Sequence, residues 1–229
     1  DRAMPRRKRI ATGGVVFHVL NRAVARERIF WKPADYEAFE NVLQEAGERV
    51  PMRLLCYCVM PNHWHLVLWP RGDEDLSEYM RWLTVTHAKR WHAHYHSSGS
   101  GALYQGRFKS FPIQEDGHFL TVCRYVERNP LRANLVARAE EWRWCSLWHR
   151  VQGSNVVSLD AWPVRPGKDW VAQVNRAETE AELKAVRRSV VRGTPFGEGA
   201  WVQRTAERLC LDSTLRARGR PQKNTVKER

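Results

Sequence analysis

The segment Met60–Pro70 reads MPNHWHLVLWP and sets His63 and His65 on either side of Trp64 inside an apolar run. Side chains alternate along a strand, so the two imidazoles share one face and the indole takes the other. Such a pair can offer two nitrogens to one ion or can serve only as hydrogen-bonding groups, and by itself it does not choose. A third group is available in the stretch YVERN. There Tyr125 and Asn129 are four residues apart, one above the other on a helix. Pro130 ends or bends that helix just after Asn129, leaving the amide at a terminus.

These four side chains suit one reaction. A phenol, with a pKa of about 10, is a poor nucleophile at neutral pH. A divalent cation held by His63, His65 and the Asn129 amide oxygen would polarise a phosphate oxygen and orient a phosphodiester. Attack by Tyr125 would then form a covalent phosphotyrosine, and the linkage energy kept there lets strands rejoin without a nucleotide cofactor. Hydrolysis would not need the tyrosine.

The elements that must carry these residues follow from periodicity. GVVFHVLNR alternates as a first strand with Val15, Phe17 and Val19 on one face. PADYEAFENVLQEAGERV is helical, with Phe39, Val42, Leu43 and Ala46 inward and Asp35 near its start. MRLLCYCVM and HWHLVLW form a hairpin about the turn PN. A second helix, DLSEYMRWLTVTHAKRWHAHY, turns Leu76, Met80, Leu83 and Val85 inward, and GRFKSFPIQ is a fourth strand with Arg107 and Lys109 on one face. The order β-α-β-β-α-β predicts an α+β, ferredoxin-like core: a four-stranded antiparallel sheet with two helices on one face and the other face free. A third helix, DGHFLTVCRYVERNPLRANLV, has Asp116 as its cap and a buried stripe of Phe119, Val122, Cys123 and Val126. Tyr125 and Asn129 flank that stripe. VQGSNVVSLDAWPVRPGKDW is irregular, and AETEAELKAVRRSVVRG and GAWVQRTAERLCL are two shorter helices. The expected divisions are a basic arm at 1–14, a catalytic domain at 15–150 and a helical extension with a basic tail at 151–229.

Composition narrows the partners. Lys and Arg total 38 against 25 acids, a net charge of +13, which suits a polyanion whose counterions are released on binding. Eleven tryptophans add stacking surfaces for unpaired bases. Nothing approaches the roughly 18 apolar residues of a membrane span, and the basic N-terminus lacks the apolar stretch of a secretion signal. A cytoplasmic, nucleoid-associated protein without membrane contact is expected. Five cysteines form no CxxC pair and read as small apolar residues in a reduced interior.

MPNHWHLVLWP, GRFKSFPIQ, YVERNPLRANLV and FHVLNR together resemble the single-tyrosine HUH transposases, and the tail RGTPFGEGAWVQRTAERLCLDSTLRARGRPQK resembles the REP-associated tyrosine transposases more narrowly. The resemblance runs from Val15 to Val136 and again from Arg192 to Lys223. It implies that His63, His65 and Asn129 ligate Mg²⁺ or Mn²⁺. It further implies that Tyr125 becomes linked to a DNA 5′-phosphate. The implied substrate is single-stranded DNA beside a hairpin of the REP palindrome kind, handled by a monomer, with the dimer of shorter relatives as the alternative. Asn129 stands where the wider family often has Gln, a longer side chain.

The residues expected to contact DNA are Arg6, Arg7, Lys8, Arg9, His18, Asn21, Arg22, Lys89, Arg90, Arg107, Lys109, Arg218 and Arg220. His87, His92, His94 and His96 suit a helix end facing phosphate, and His118, seven residues before Tyr125, is a further candidate for lining the site. The Arg-Gly-Arg-Pro stretch of the tail reads equally as a minor-groove arm and as a solvated basic tail. Two other functions stand beside the tyrosine enzyme: a catalytically silent hairpin-DNA-binding regulator and a metal-dependent phosphodiesterase acting on RNA.

Overall fold

The computed structural model describes residues 11–216. Arg6, Arg7, Lys8, Arg9, Arg218 and Arg220 lie outside the described residues. Four strands, β1 (Val16–Arg22), β2 (Met52–Met60), β3 (His63–Pro70) and β4 (Lys109–Ile113), form one antiparallel sheet in the order β2-β3-β1-β4. The helices α1 (Pro33–Arg49) and α2 (Asp75–His94) join them in the ferredoxin-like sequence.

Alternation sorts the sheet residues into two cores. Phe17, Val19, Tyr57, Trp64, Leu66 and Leu68 point to α1 and α2, where they meet Phe39, Leu43, Leu76, Met80 and Leu83. Val16, Cys56, Cys58, Val67, Phe111 and Ile113 point the other way. Helix α1 begins at Pro33, and Asp35, three residues past the cap, accepts the backbone N–H groups of Trp31 and Lys32 at 2.7 and 3.1 Å. Val85 departs from the inward pattern expected of α2: it is 47% exposed, since only its neighbours at helical spacing reach the sheet.

The second face is not free. Helix α3 (Gly117–Glu127) packs Phe119, Val122, Cys123 and Val126 against it. Asp116 accepts the His118 N–H at 2.8 Å as its cap, a contact of the kind that stabilises a helix by about 1 kcal/mol. As expected from Pro130, which has no N–H to continue the ladder, the stretch from Asp116 to Val136 is not one continuous helix. One turn, α4 (Asn129–Arg132), follows α3 at once.

Helix α5 (Ser146–Gln152) straddles the expected boundary at residue 150, and the C-terminal extension covers the remainder with α6 (Trp170–Asn175), α7 (Glu180–Arg192), α8 (Gly199–Arg208) and α9 (Asp212–Leu215). The irregular stretch before α6 runs beside the β2 edge: Asp160 exchanges two bonds with Leu54, and the Trp162 indole donates to the Leu55 carbonyl at 2.6 Å. Helix α7 opens with a capping box, Thr179 with Glu182, and closes on Gly193 at φ 74°. Cys56, Cys58, Cys123 and Cys145 are buried, as expected of small apolar residues, whereas Cys210 is exposed. Among the described residues no helix is long and apolar enough to cross a membrane.

Candidate active site

The hairpin turn places the histidine pair. Pro61 and Asn62 join β2 to β3, and four hydrogen bonds grip them: the Pro61 carbonyl accepts from Ile29 and Phe30, Asn62 O accepts from Ala23, and the side-chain Asn62 Nδ2 donates to Arg26 O at 2.8 Å. That last bond leaves Asn62 Oδ1 as an acceptor, 2.6 Å from His63 Nδ1. An amide oxygen cannot donate, so the proton of His63 sits on Nδ1 and the Nε2 lone pair is bare. The pairing Met60↔His63 makes His63 the first residue of β3, at the rim of the sheet.

His65 lies one pleat inward on the same face, with ring centroids 5.1 Å apart. Its Nδ1 is 2.9 Å from Nε2 of His18, which stands diagonally across the β1–β3 ladder and packs on Phe111. The Nε2 atoms of His63 and His65 have no hydrogen-bond partner among the described residues. Burial pushes His63 down to about 3, with the nearby Arg22 and Arg132 charges adding to it. Burial also holds His65 well below the ordinary histidine value, and the Arg132 and Arg22 charges add to it. Both rings are therefore neutral at pH 7, the form that ligates a metal. Trp64 points to the opposite core and is fully buried, donating to the Tyr104 hydroxyl at 3.0 Å.

Helix α3 brings the other pair to the same place. The Tyr125 ring stands edge-on to His65, centroids 5.9 Å apart at 86°. Tyr125 and Asn129 are each 8% exposed, on the flank of the buried stripe. Asn129 Nδ2 is buried without a partner, and its Oδ1 accepts from Arg132 Nη2 at 3.0 Å. Arg132 in turn lies over the Tyr125 ring, 4.3 Å from its centroid. Glu127 fastens α3 beside the tyrosine: it is fully buried and accepts from Ser146, Arg150 and Trp170 at 2.6, 3.0 and 2.7 Å.

The remaining sequence candidates scatter. His18 is fully buried, so it supports His65 rather than contacting DNA. Arg22 sits directly across from His63 in the ladder. Asn21 is 6% exposed; it donates to the Gly106 carbonyl and accepts the Arg22 N–H. Strand β4 begins at Lys109, so alternation does not reach Arg107: the two do not share a face, and Arg107 instead lines a cleft on the α2 side. Lys89 lines that cleft too, whereas Arg90 is held by Glu45 in a two-pronged pair at 2.7 and 2.8 Å. His87 is buried with its Nδ1 2.6 Å from the Tyr104 hydroxyl, so it does not face phosphate as expected, and His118 pairs with Asp116 at 2.8 Å. Arg132 and Asn62 were not anticipated from sequence. The four-residue spacing of Arg124, Arg128 and Arg132 along the tyrosine segment is the signal that points to the first.

The family described as Transposase IS200 like matches residues 12–129, which is β1 through the start of α4. The chain belongs to the IS200-like transposase family. This is a family of DNA-processing enzymes. A Haemophilus influenzae protein named as a REP-associated tyrosine transposase is 21% identical over 153 residues, spanning 63% of this chain and 85% of its own. The solved structure of a REP-associated tyrosine transposase bound to a REP hairpin superposes with a TM-score of 0.51 at 18% identity. It covers 78% of this chain and 99% of that one, which extends the shared fold into the C-terminal extension.

Proposed function

We propose that the protein cleaves and rejoins single-stranded DNA at palindromic hairpins of the REP kind, through a covalent link between Tyr125 and a DNA 5′-phosphate. The observation that carries this is that His63, His65 and Tyr125 meet at one end of the sheet, with Asn129 joined to Tyr125 through Arg132. A catalytically silent binder has no use for that set, and a phosphodiesterase has no use for the tyrosine.

The donor set fits a divalent cation. Two neutral imidazoles would present Nε2, each backed at Nδ1 by a polar partner, and the Asn129 amide has a lone pair beyond its bond to Arg132. Mg²⁺ or Mn²⁺ bound there supplies charge to polarise the scissile phosphate. The protein's own part is to keep the imidazoles unprotonated, to hold the phenol ring beside them and to fix the amide at the break between α3 and α4. For His65 to bind, its Nδ1–H must donate to His18, which puts the His18 proton on the buried Nδ1 that lacks a partner. Leaving that donor unmet costs about 1–3 kcal/mol, a cost tolerated where function needs it.

Hairpin DNA as the partner is supported by the bound neighbour, by the +13 charge and by the α2 cleft of about 890 Å³. Arg81, Lys89 and Arg107 line the cleft with Tyr104 and Phe108, and among the described residues no carboxylate lines it. Incubation with hairpin-bearing single-stranded DNA and Mn²⁺ should yield a protein–DNA adduct on a denaturing gel. Chelation or Tyr125→Phe should abolish it. An adduct that persists in Tyr125→Phe would exclude the assigned nucleophile.

A further inference from the structure

The contacts behind Asn129 lead out of the family-matched region and into the C-terminal extension. Besides covering the Tyr125 ring and donating to Asn129, Arg132 sends Nη1 to Glu178 at 2.9 Å. Glu178 lies between α6 and α7. Its side chain is 5% exposed, and its second oxygen meets Arg128 Nε at 3.1 Å. Arg124 and Arg128 continue the row at one-turn spacing and donate to the backbone carbonyls of Val174, Asn175, Arg176 and Ala177. Arg124 and Arg128 would suffice to attach that stretch. Arg132 differs, because it alone of the three also touches Tyr125 and Asn129.

A guanidinium is a planar fork, so fixing one edge on a carboxylate dictates where the other edge points. Removing that carboxylate frees the fork to rotate and leaves a partly buried positive charge beside the imidazole pair without its counter-ion. We propose that Glu178 is a positioning residue for the tyrosine reaction: acting through Arg132, it sets the Tyr125 ring and the Asn129 amide relative to each other. The C-terminal extension thereby completes the active site. This inference rests on Tyr125 being the nucleophile.

The test compares single-turnover adduct formation on hairpin-bearing single-stranded DNA in Mn²⁺ with hairpin affinity measured in chelator. It covers wild type, Glu178→Gln, Glu178→Asp, Arg132→Lys and the double variant Glu178→Gln/Arg132→Lys. Glu178→Gln should slow adduct formation by about 10- to 100-fold, the scale of a misplacement near 1 Å, while hairpin affinity stays within about twofold. Glu178→Asp should recover most of the rate, and the double variant should be no slower than Arg132→Lys alone. A wild-type rate in Glu178→Gln would overturn the inference. So would penalties that multiply in the double variant, or affinity lost in step with rate, since both mark a merely structural role. If wild type forms no adduct, the assignment of Tyr125 fails and takes this inference with it; an active wild type with an unaffected Glu178→Gln sinks this inference alone.

Discussion

Each imidazole of the rim pair has one nitrogen tied from behind and the other left bare, and the two ties have different origins. His63 is oriented by its sequence neighbour Asn62, whereas His65 is oriented by His18, 47 residues away. The alternation that puts both histidines on one face was legible in HWH, because period two is a local property of strands. The role of His18 was not, because the diagonal β1–β3 contact depends on strand pairing and register that spacing does not encode. His18→Phe should keep the packing on Phe111 and remove the bond to His65. By calorimetry Mn²⁺ affinity should fall by about 10- to 100-fold, the usual effect of losing a partner behind a metal-binding histidine. Unchanged affinity would contradict the assigned support.

At the scale of elements, β3 serves two cores with adjacent residues. His63 and His65 face α3, while Trp64 fills the space among Phe39, Tyr104 and the α1–α2 layer. Structure and chemistry therefore separate by single positions. Trp64→Ala should lower unfolding stability by about 3–5 kcal/mol in urea titrations, as expected of a large core aromatic. Folded Trp64→Phe should still form adduct at the wild-type rate; a selective loss of rate in a stable Trp64→Phe would show that the indole does more than pack. The four strands and α1 to α3 were readable because each carries a clear period of 2 or 3.6. The extension was harder. Helix α5 and helix α6 are 7 and 6 residues long, too short to display a period, and the stretch before α6 is held to the β2 edge by a pair of bonds at Asp160 and one from Trp162. Nor did charge patterning reveal Glu178, whose meaning depends on the arginine row opposite it.

For the molecule as a whole, net charge predicted a polyanion but not which cations would be available to it. Lys89 opens onto the wide cleft, while Arg90, its neighbour on α2, is neutralised by Glu45 from α1. Sequence could not tell them apart, because the ion pair bridges two helices. Lys89→Ala should weaken hairpin binding about equally across sequences and reduce the log–log salt slope by about one. Arg90→Ala should leave that slope unchanged. Equal effects from both would remove the cleft from the DNA footprint.

The sheet-borne histidines and the helix-borne tyrosine and amide converge, and that convergence has a chemical signature that can be read on one peptide. After reaction with hairpin-bearing single-stranded DNA in Mn²⁺, nuclease trimming and proteolysis, mass spectrometry of the nucleotide-bearing peptide locates the covalent bond. The predicted result is a phosphodiester on Tyr125, lost when His63→Ala or His65→Ala replaces wild type. A linkage on any other residue, or cleaved DNA with no linked peptide, would contradict the account.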